Sequence, residues 1–420
     1  MMPTGSSSTS ILTSCFLCNC ITSHLYANRN KKKRRHVGPF FREEEARVWF
    51  WNVSVLYRSS QTDVGSRGHC FDLGRCGFLL PVERSREQVC LLVLRYFMVF
   101  ASFIVRRMSS ARPRHVIWES KGLVGYLHPR PWTPGSVILE SSAPGGPGGS
   151  IFGLREPEYL SWLLGARAVA ELLCDRLGAR RCALVSRPHG DAPAQIRVLP
   201  LHGLNAEWRP HLAGEEEHNA HDPGYCTSKT APRWSDSRLT EIKTEIRAKL
   251  PSPDAPPDLT FLGGDPAHPG LFPRIVRGEE QQWRVWEDEG HVAFLTPFPN
   301  SPGFTVLVPR RPLTSDIFRL DKGDYQGLVL AARKVSRLLE EALGASGVGL
   351  IFEGFEIDYA HAKLIPLFPP PSSGAGSDTT KPRTPRSYPT YPGYVTSEDG
   401  PEASLESLKE MHSKITQIQK

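Results

Sequence analysis

The chain writes one stretch of itself twice, and any fold it adopts must accommodate both copies. Trp118-Glu119-Ser120-Lys121-Gly122-Leu123-Val124 returns 168 positions later as Trp286-Glu287-Asp288-Glu289-Gly290-His291-Val292. Over residues 118–139 that offset gives 10 identities in 22, among them Leu127/Leu295, Pro129/Pro297, Pro131/Pro299, Pro134/Pro302 and Gly135/Gly303. Past the glycine-rich run at 144–149 the offset becomes 166. Residues 159–185 then match 325–351 at 11 of 27 positions, including Tyr159/Tyr325, Arg167/Arg333, Leu172/Leu338 and Gly178/Gly344. So many matches at nearly one spacing mark a duplicated structural unit.

Each copy follows one plan. A strand at Val292–Leu295 leads through a Pro-rich turn to a second at Phe304–Val308. A helix is predicted from Tyr325 to Leu343, because Leu328, Ala331, Ala332, Val335, Leu338, Leu339 and Ala342 recur at three- and four-residue spacing. Gly344 ends it. A strand at Val348–Phe352, a turn and a last strand carrying His361 complete the unit. In the first copy Gln195 occupies the place of His361.

Charge and cysteine divide the chain differently. Residues 1–107 carry a net charge of +9 and six of the nine cysteines, whereas the remainder carries −2. Overall basicity is therefore no argument for nucleic acid binding. Cys174, Cys182 and Cys226 show no paired spacing and read as free thiols. The first 107 residues show no sustained period, and we expect them to be disordered or outside the fold, with Met108 a natural start. Val89 to Val105 is apolar, but Arg95 in its middle makes a poor membrane span. Cys15, Cys18 and Cys20 lack a second ligand pair for zinc. Lys31–Arg35 reads as a solvated basic run, with a nuclear-import patch as the alternative.

The chemistry concentrates in Asp358-Tyr359-Ala360-His361-Ala362-Lys363-Leu364-Ile365-Pro366. In a strand Tyr359, His361 and Lys363 project to one face, and the small alanines to the other. Following the turn at Gly354, this reads as a phosphate-handling site. The competing reading makes His361 an ordinary strand histidine satisfied by its neighbours, and Lys363 a surface lysine.

With those residues in view, the second copy resembles the histidine triad (HIT) superfamily. The match runs from Phe272-Pro273-Arg274-Ile275-Val276-Arg277-Gly278-Glu279 through Ala293-Phe294-Leu295, Ser301-Pro302-Gly303 and Val306–Arg311 to His361 and Leu364-Ile365-Pro366. Residues 114–204 look like a degenerate copy. The resemblance implies that His361 is the middle, nucleophilic histidine of the triad, with the outer two replaced by Tyr359 and Lys363. It further implies nucleotide or phosphate contacts at Phe294, Thr296 and Arg310, with a solvated turn the favoured reading at Arg310, while the turn at Gly354 lets backbone N–H groups approach an oxyanion. Thr296 stands where the family commonly has a ribose-binding aspartate, and Pro312 where a histidine often follows the basic turn.

The expectations are these. The fold is α+β: two HIT-like repeats, each an antiparallel sheet plus helix, forming an intramolecular pseudo-dimer. Domains fall at 1–107, 108–204, a linker at 205–257, 258–370, and a flexible tail at 371–420 ending in a helix, Glu402–Ile418. A short helix, Leu239–Leu250, interrupts the linker. His218, His221, Asp222 and Cys226 there read as an acidic solvated loop rather than a zinc site. The function is a nucleotide-binding hydrolase or nucleotidyltransferase acting on a nucleoside phosphate or polyphosphate through a covalent His361 intermediate. Lys363 steadies the phosphate oxygens and Tyr359 donates a hydrogen bond. The alternative is a non-catalytic nucleotide- or phosphate-binding pseudoenzyme or scaffold. No metal or cofactor is expected, the partner is a nucleotide or phosphorylated small molecule, and the protein is a cytoplasmic monomer without a clear nucleic-acid or membrane surface.

Overall fold

A computed structural model describes residues 114–143, 148–188, 190, 192–205, 214–370 and 384–417. The N-terminal cysteines, the basic run, the apolar stretch 89–105 and the start at Met108 lie outside the described residues. Ala111–Lys420 forms one compact unit, and every described residue belongs to it.

Ten antiparallel strands form a single sheet. The first five are β1 (Val116–Ser120), β2 (Leu123–Leu127), β3 (Val137–Ser141), β4 (Arg181–Ser186) and β5 (Ile196–Leu201). The second five are β6 (Trp283–Glu287), β7 (His291–Leu295), β8 (Thr305–Pro309), β9 (Gly347–Phe352) and β10 (Ala362–Leu367). Their order is β1-β2-β3-β5-β4-β9-β10-β8-β7-β6, so two runs of like order meet where Leu184, Val185 and Ser186 of β4 pair with Phe352, Ile351 and Leu350 of β9. Even the irregularities match. The β1–β2 ladder shifts register between Val116 and Trp118, and the β6–β7 ladder between Arg284 and Trp286. The last strand is shorter than its hydrophobic pattern suggests: β10 begins at Ala362, leaving His361 just ahead of it.

The two long helices are α1 (Glu156–Leu177) and α4 (Lys322–Leu343), each of 22 residues. Helix α4 starts three residues before the expected Tyr325, and left-handed glycines, Gly178 and Gly344, close both. Their apolar stripes cover one face of the sheet, packing on Val137, Leu139, Leu184 and Val198 in the first half and on Leu307, Leu350, Ala362 and Leu364 in the second. Gly135 and Gly303, both at positive φ, turn the chain where a Cβ would strike Leu177 and Leu343, the last residues of the two helices. Across the helix pair the contacts are reciprocal. Tyr159 Oη donates to the Val329 carbonyl at 2.9 Å, and Tyr325 Oη to the Leu163 carbonyl at 2.7 Å. The Arg167 guanidinium lies over the Tyr325 ring and that of Arg333 over the Tyr159 ring.

The other sheet face is covered by irregular chain. Val185, Leu199, Ile351, Tyr359 and Ile365 form a second core with Cys226, Tyr391 and Val395. The stretch expected to be a solvated linker thus supplies buried residues, Cys226, Thr227, Ser228 and Lys229, and the tail is pinned to it by Ser228 N donating to the Val395 carbonyl at 2.9 Å. Polar sequence hid this packing because hydrogen bonds between side chain and backbone, such as Thr227 Oγ1 to the Val395 carbonyl at 3.1 Å and Cys226 N to Ser397 Oγ at 2.9 Å, anchor it alongside the apolar contacts. Helix α2 (Asp236–Arg247) starts three residues earlier than its apolar pattern, where the Ser235 hydroxyl accepts from Arg238 N. A short helix, α3 (Leu271–Val276), precedes β6, and α5 (Leu405–Thr416), capped by Ser404, packs against α1 and β1. Cys174, Cys182 and Cys226 are free thiols. Among the described residues no helix is long and apolar enough to cross a membrane.

Candidate functional site

The turn from β9 to β10 sets out the chemistry-bearing residues. Gly354 adopts φ +77°, and a Cβ there would lie 2.4 Å from the Ser315 carbonyl oxygen, so only glycine fits. Its own carbonyl accepts from Arg181 Nη1 at 2.9 Å, and the same nitrogen donates to Ser315 Oγ at 2.8 Å. Ser315 Oγ donates to Asp358 at 2.7 Å, which holds that carboxyl below its ordinary range. The turn is therefore clamped, from the first half of the chain through Arg181 and from the β8–α4 connection through Ser315.

Side chains alternate as a strand demands. Ala360, Ala362 and Leu364 face the long helices, while Tyr359, Ile365 and Leu367 join the opposite core. His361 is 4% exposed, and its ring meets Phe272 edge-on at 5.3 Å between centroids. Nδ1 lies 2.8 Å from the Tyr359 carbonyl oxygen. A carbonyl only accepts, so Nδ1 carries the proton, and Nε2 keeps its lone pair with no hydrogen-bond partner among the described residues. Burial, aided by the positive charge of Lys363, lowers the imidazole to about 4, so it is neutral at neutral pH.

Lys363 is committed on both sides. Its ammonium lies 3.1 Å from Glu353 Oε2 and 3.1 Å from Glu356 Oε1. Burial opposes its charge, but the two carboxylates outweigh that and raise its pKa. The other Glu353 oxygen accepts from the Tyr391 hydroxyl, which burial and this carboxylate push up. Tyr359 is equally occupied, its hydroxyl donating to the Pro309 carbonyl at 2.8 Å. One ammonium thus faces two carboxylates beside the imidazole.

The remaining expected contacts are placed as follows. Phe294 is buried and packs on Phe272 at 5.8 Å, which brings it into the aromatic group around His361. Thr296 lies in the turn after β7, where its hydroxyl accepts from Phe298 N at 3.3 Å. Arg310 is 1% exposed and all three guanidinium nitrogens are engaged. Nε donates to the Asp288 carbonyl at 2.8 Å, Nη1 to the Asp258 carbonyl at 2.7 Å, and Nη2 to Glu287 at 3.1 Å. It braces the β6–β8 edge and leaves no donor for a phosphate.

Glu353, Glu356, Phe272 and Tyr391 were not foreseen as partners. Glu353 was legible in principle: β10 pairs Lys363 with Ile351, and Glu353 follows Ile351 on the same strand face. Nothing local signals Tyr391, which arrives from the far end of the chain. Among the described residues no group of three His, Cys, Asp or Glu stands ready to hold a metal ion. Asp222, once considered with His218, His221 and Cys226, pairs with Arg187 at 2.6 Å.

No family model matches the chain. It is similar, 28% identical over 103 residues, to an uncharacterized HIT-like protein of Saccharolobus solfataricus, covering 23% of this chain and 73% of that one. A second such protein, from Mycoplasma genitalium, is 25% identical over 103 residues, covering 23% and 72%. Among solved structures, a HIT-like protein involved in cell-cycle regulation from Bartonella henselae is 20% identical, covering 37% of this chain and 98% of that one at a TM-score of 0.23. A zinc-bound histidine triad family protein from Mycobacterium smegmatis is 18% identical, covering 35% and 93% at a TM-score of 0.22.

Proposed function

We propose that this HIT-like chain is a binding protein for a phosphorylated small molecule that does not carry out nucleotidyl transfer. Its two repeats form an intramolecular pseudo-dimer, and the protein is a monomer. One observation carries the reading: Lys363, the only cation of the Tyr-x-His-x-Lys motif, is clamped between Glu353 and Glu356. A transferring site needs preorganised positive charge where negative charge develops on phosphorus. Here a phosphoryl group reaching Nε2 of His361 would meet a local excess of carboxylate. Arg310, Tyr359 and Thr296 are tied elsewhere and do not offset it.

The pseudo-dimer is supported by the reciprocal tyrosine contacts, because equal surfaces exchanging the same contact in both directions are the mark of a two-fold interface. Solution scattering should give the mass of one chain. A stable dimer would overturn this part.

A second reading keeps His361 as a nucleophile. What favours it is the Nδ1–Tyr359 contact, which fixes the tautomer that presents Nε2, on a ring neutral at neutral pH. Turnover of nucleoside polyphosphates by the intact chain and by His361→Ala separates the two. The binding reading predicts no turnover above background in either; turnover lost specifically in His361→Ala would overturn it.

A further inference from the structure

Away from the motif, two thiols meet where α1 hands the chain over to β4. Cys174 sits in the last turn of α1 and Cys182 is the second residue of β4, and their sulfurs are 3.7 Å apart. They differ in access. Cys182 is 5% exposed and belongs to the core beneath the helices, whereas Cys174 is half-buried at its edge. Between them Gly178, at φ +65°, stops the helix and turns the chain back within seven intervening residues.

The fold brings these two positions together in both copies. At the 166-residue offset they correspond to Glu340, half-buried, and Val348, buried, and there the Glu340 carboxylate accepts from the Val348 backbone N–H. Helix end and strand start are therefore neighbours wherever this unit is built. The first copy alone fills both places with sulfur. Packing does not demand it, since a carboxylate and a valine serve the second copy.

The surroundings make the two sulfurs unequal. The Cys182 S–H reaches two acceptors, the Ala170 carbonyl at 3.6 Å and the Cys174 sulfur. Turned to Cys174, it holds that thiol below its ordinary range; Arg319 adds to the lowering, while burial and the carboxylates of Asp316 and Glu171 oppose it. Burial pushes the Cys182 thiol well up. An accessible sulfur that ionises first thus stands beside an enclosed one that stays a thiol, the division between an attacking and a resolving cysteine. Cys226, in the core on the other sheet face, is pushed up by burial to about 11 and has no such neighbour among the described residues.

We infer that Cys174 and Cys182 are a peroxide-sensitive pair that closes to an intramolecular disulfide and reopens with a dithiol. The Cys174 thiolate attacks one oxygen of hydrogen peroxide, the O–O bond breaks, and hydroxide leaves to take up the proton that Cys174 had released. Cys174 is left as a sulfenic acid. The Cys182 sulfur then attacks the Cys174 sulfur, the S–O bond breaks, and the hydroxyl leaves as water with the Cys182 proton. Two thiols are oxidised by two electrons, and one peroxide is reduced to two waters. Closure brings the sulfurs from 3.7 Å to about 2.05 Å, a movement taken up in the last turn of α1. The bond forms behind the clamp on the motif turn: Arg181, which holds Gly354, precedes Cys182, and the 3₁₀ turn Ile317–Arg319 that follows Ser315 packs against α1. The inference holds under either reading of His361.

The test is peptide mapping of the full-length chain, reduced, exposed to a small excess of hydrogen peroxide, blocked with N-ethylmaleimide and digested with trypsin. Arg176, Arg180 and Arg181 lie between the cysteines, so the disulfide joins two separate tryptic peptides. That linked pair is expected after peroxide, and is absent both before it and after dithiothreitol. In Cys182→Ala, dimedone labels Cys174, because no thiol resolves its sulfenic acid; in Cys174→Ala, Cys182 stays unlabelled. Thermal melts check that both variants fold, and the wild-type map decides if one does not. Retention of both thiols under peroxide, linkage of either to a third cysteine, or passage of Cys174 to sulfinic acid without a linked peptide would overturn the pair. Dimedone on Cys182 in Cys174→Ala would overturn the order of attack.

Discussion

At matching points of two matching hairpins the chain places Arg197 and Lys363, and gives them opposite company. Lys363 is enclosed with two carboxylates, Glu353 and Glu356, and is 6% exposed. Arg197 shares one carboxylate, Asp399, with Arg130, and borders open space. The backbone has hardly changed between the copies: both long helices, both central strands and both helix-capping glycines keep a 166-residue spacing. What has diverged is charge and access. The half with His361 is closed around it, and the half with Gln195 borders open space beside its arginines. Packing of a sheet against helices tolerates few backbone changes, whereas the residues at a strand end can invert their charges without touching that core.

The sharpest way to break this comparison is to remove each cation. Lys363→Met leaves Glu353 and Glu356 without their counter-ion in a buried setting and should cost about 3–5 kcal/mol. Arg197→Met leaves Asp399 still paired with Arg130, so about 1–2 kcal/mol is expected. Urea denaturation of the two variants measures both, and equal losses would mean that the two surroundings do not differ as described.

The next effect is in pH. The folded protein holds His361 at about 4, whereas an imidazole in the unfolded chain titrates near ~6.5. Between those values the unfolded chain binds a proton that the folded chain refuses. This contribution to stability is therefore complete above about 6.5, falls as pH drops toward about 4, and is constant below. His361→Gln, which copies Gln195 of the other half, should flatten that part of the wild-type profile in denaturation series from pH 7.5 to 4.5. An unchanged slope would contradict the buried, neutral ring.

Smaller still is the loss of Tyr391→Phe, which deletes the hydroxyl donated to Glu353 and should cost about 1.5–3 kcal/mol, as for hydrogen bonds to charged groups. The smallest concerns the symmetry itself. Tyr159→Phe and Tyr325→Phe remove reciprocal bonds to backbone carbonyls and should lower stability by nearly equal amounts, about 1 kcal/mol each. Clearly unequal losses would count against an evenly shared helix interface.

Much of the frame could be read from residues alone, because helix α4 shows its apolar stripe and the paired prolines and glycines mark the same turns twice. The starts of α2 and α5 were misjudged where Ser235 and Ser404 act as caps outside the apolar pattern. The motif face was legible from alternation, although His361 falls just ahead of β10 rather than within it. Its surroundings were not. Period-two patterning says which way Lys363 points but not what it meets, and Tyr391 and Asp399 reach the sheet from a tail whose polar composition reads as solvated. Arg310 misled for a related reason: a basic residue after a strand resembles a ligand contact until Asp258 and Glu287 are found beside it.

The claim on which the account turns is that His361 accepts no nucleotidyl group. Intact-protein mass spectrometry after brief incubation with ATP, with alkaline denaturation to preserve phosphoramidate bonds, addresses it directly. The account predicts the unmodified mass alone. A nucleotidyl adduct on the wild-type chain that is absent from His361→Ala would contradict it.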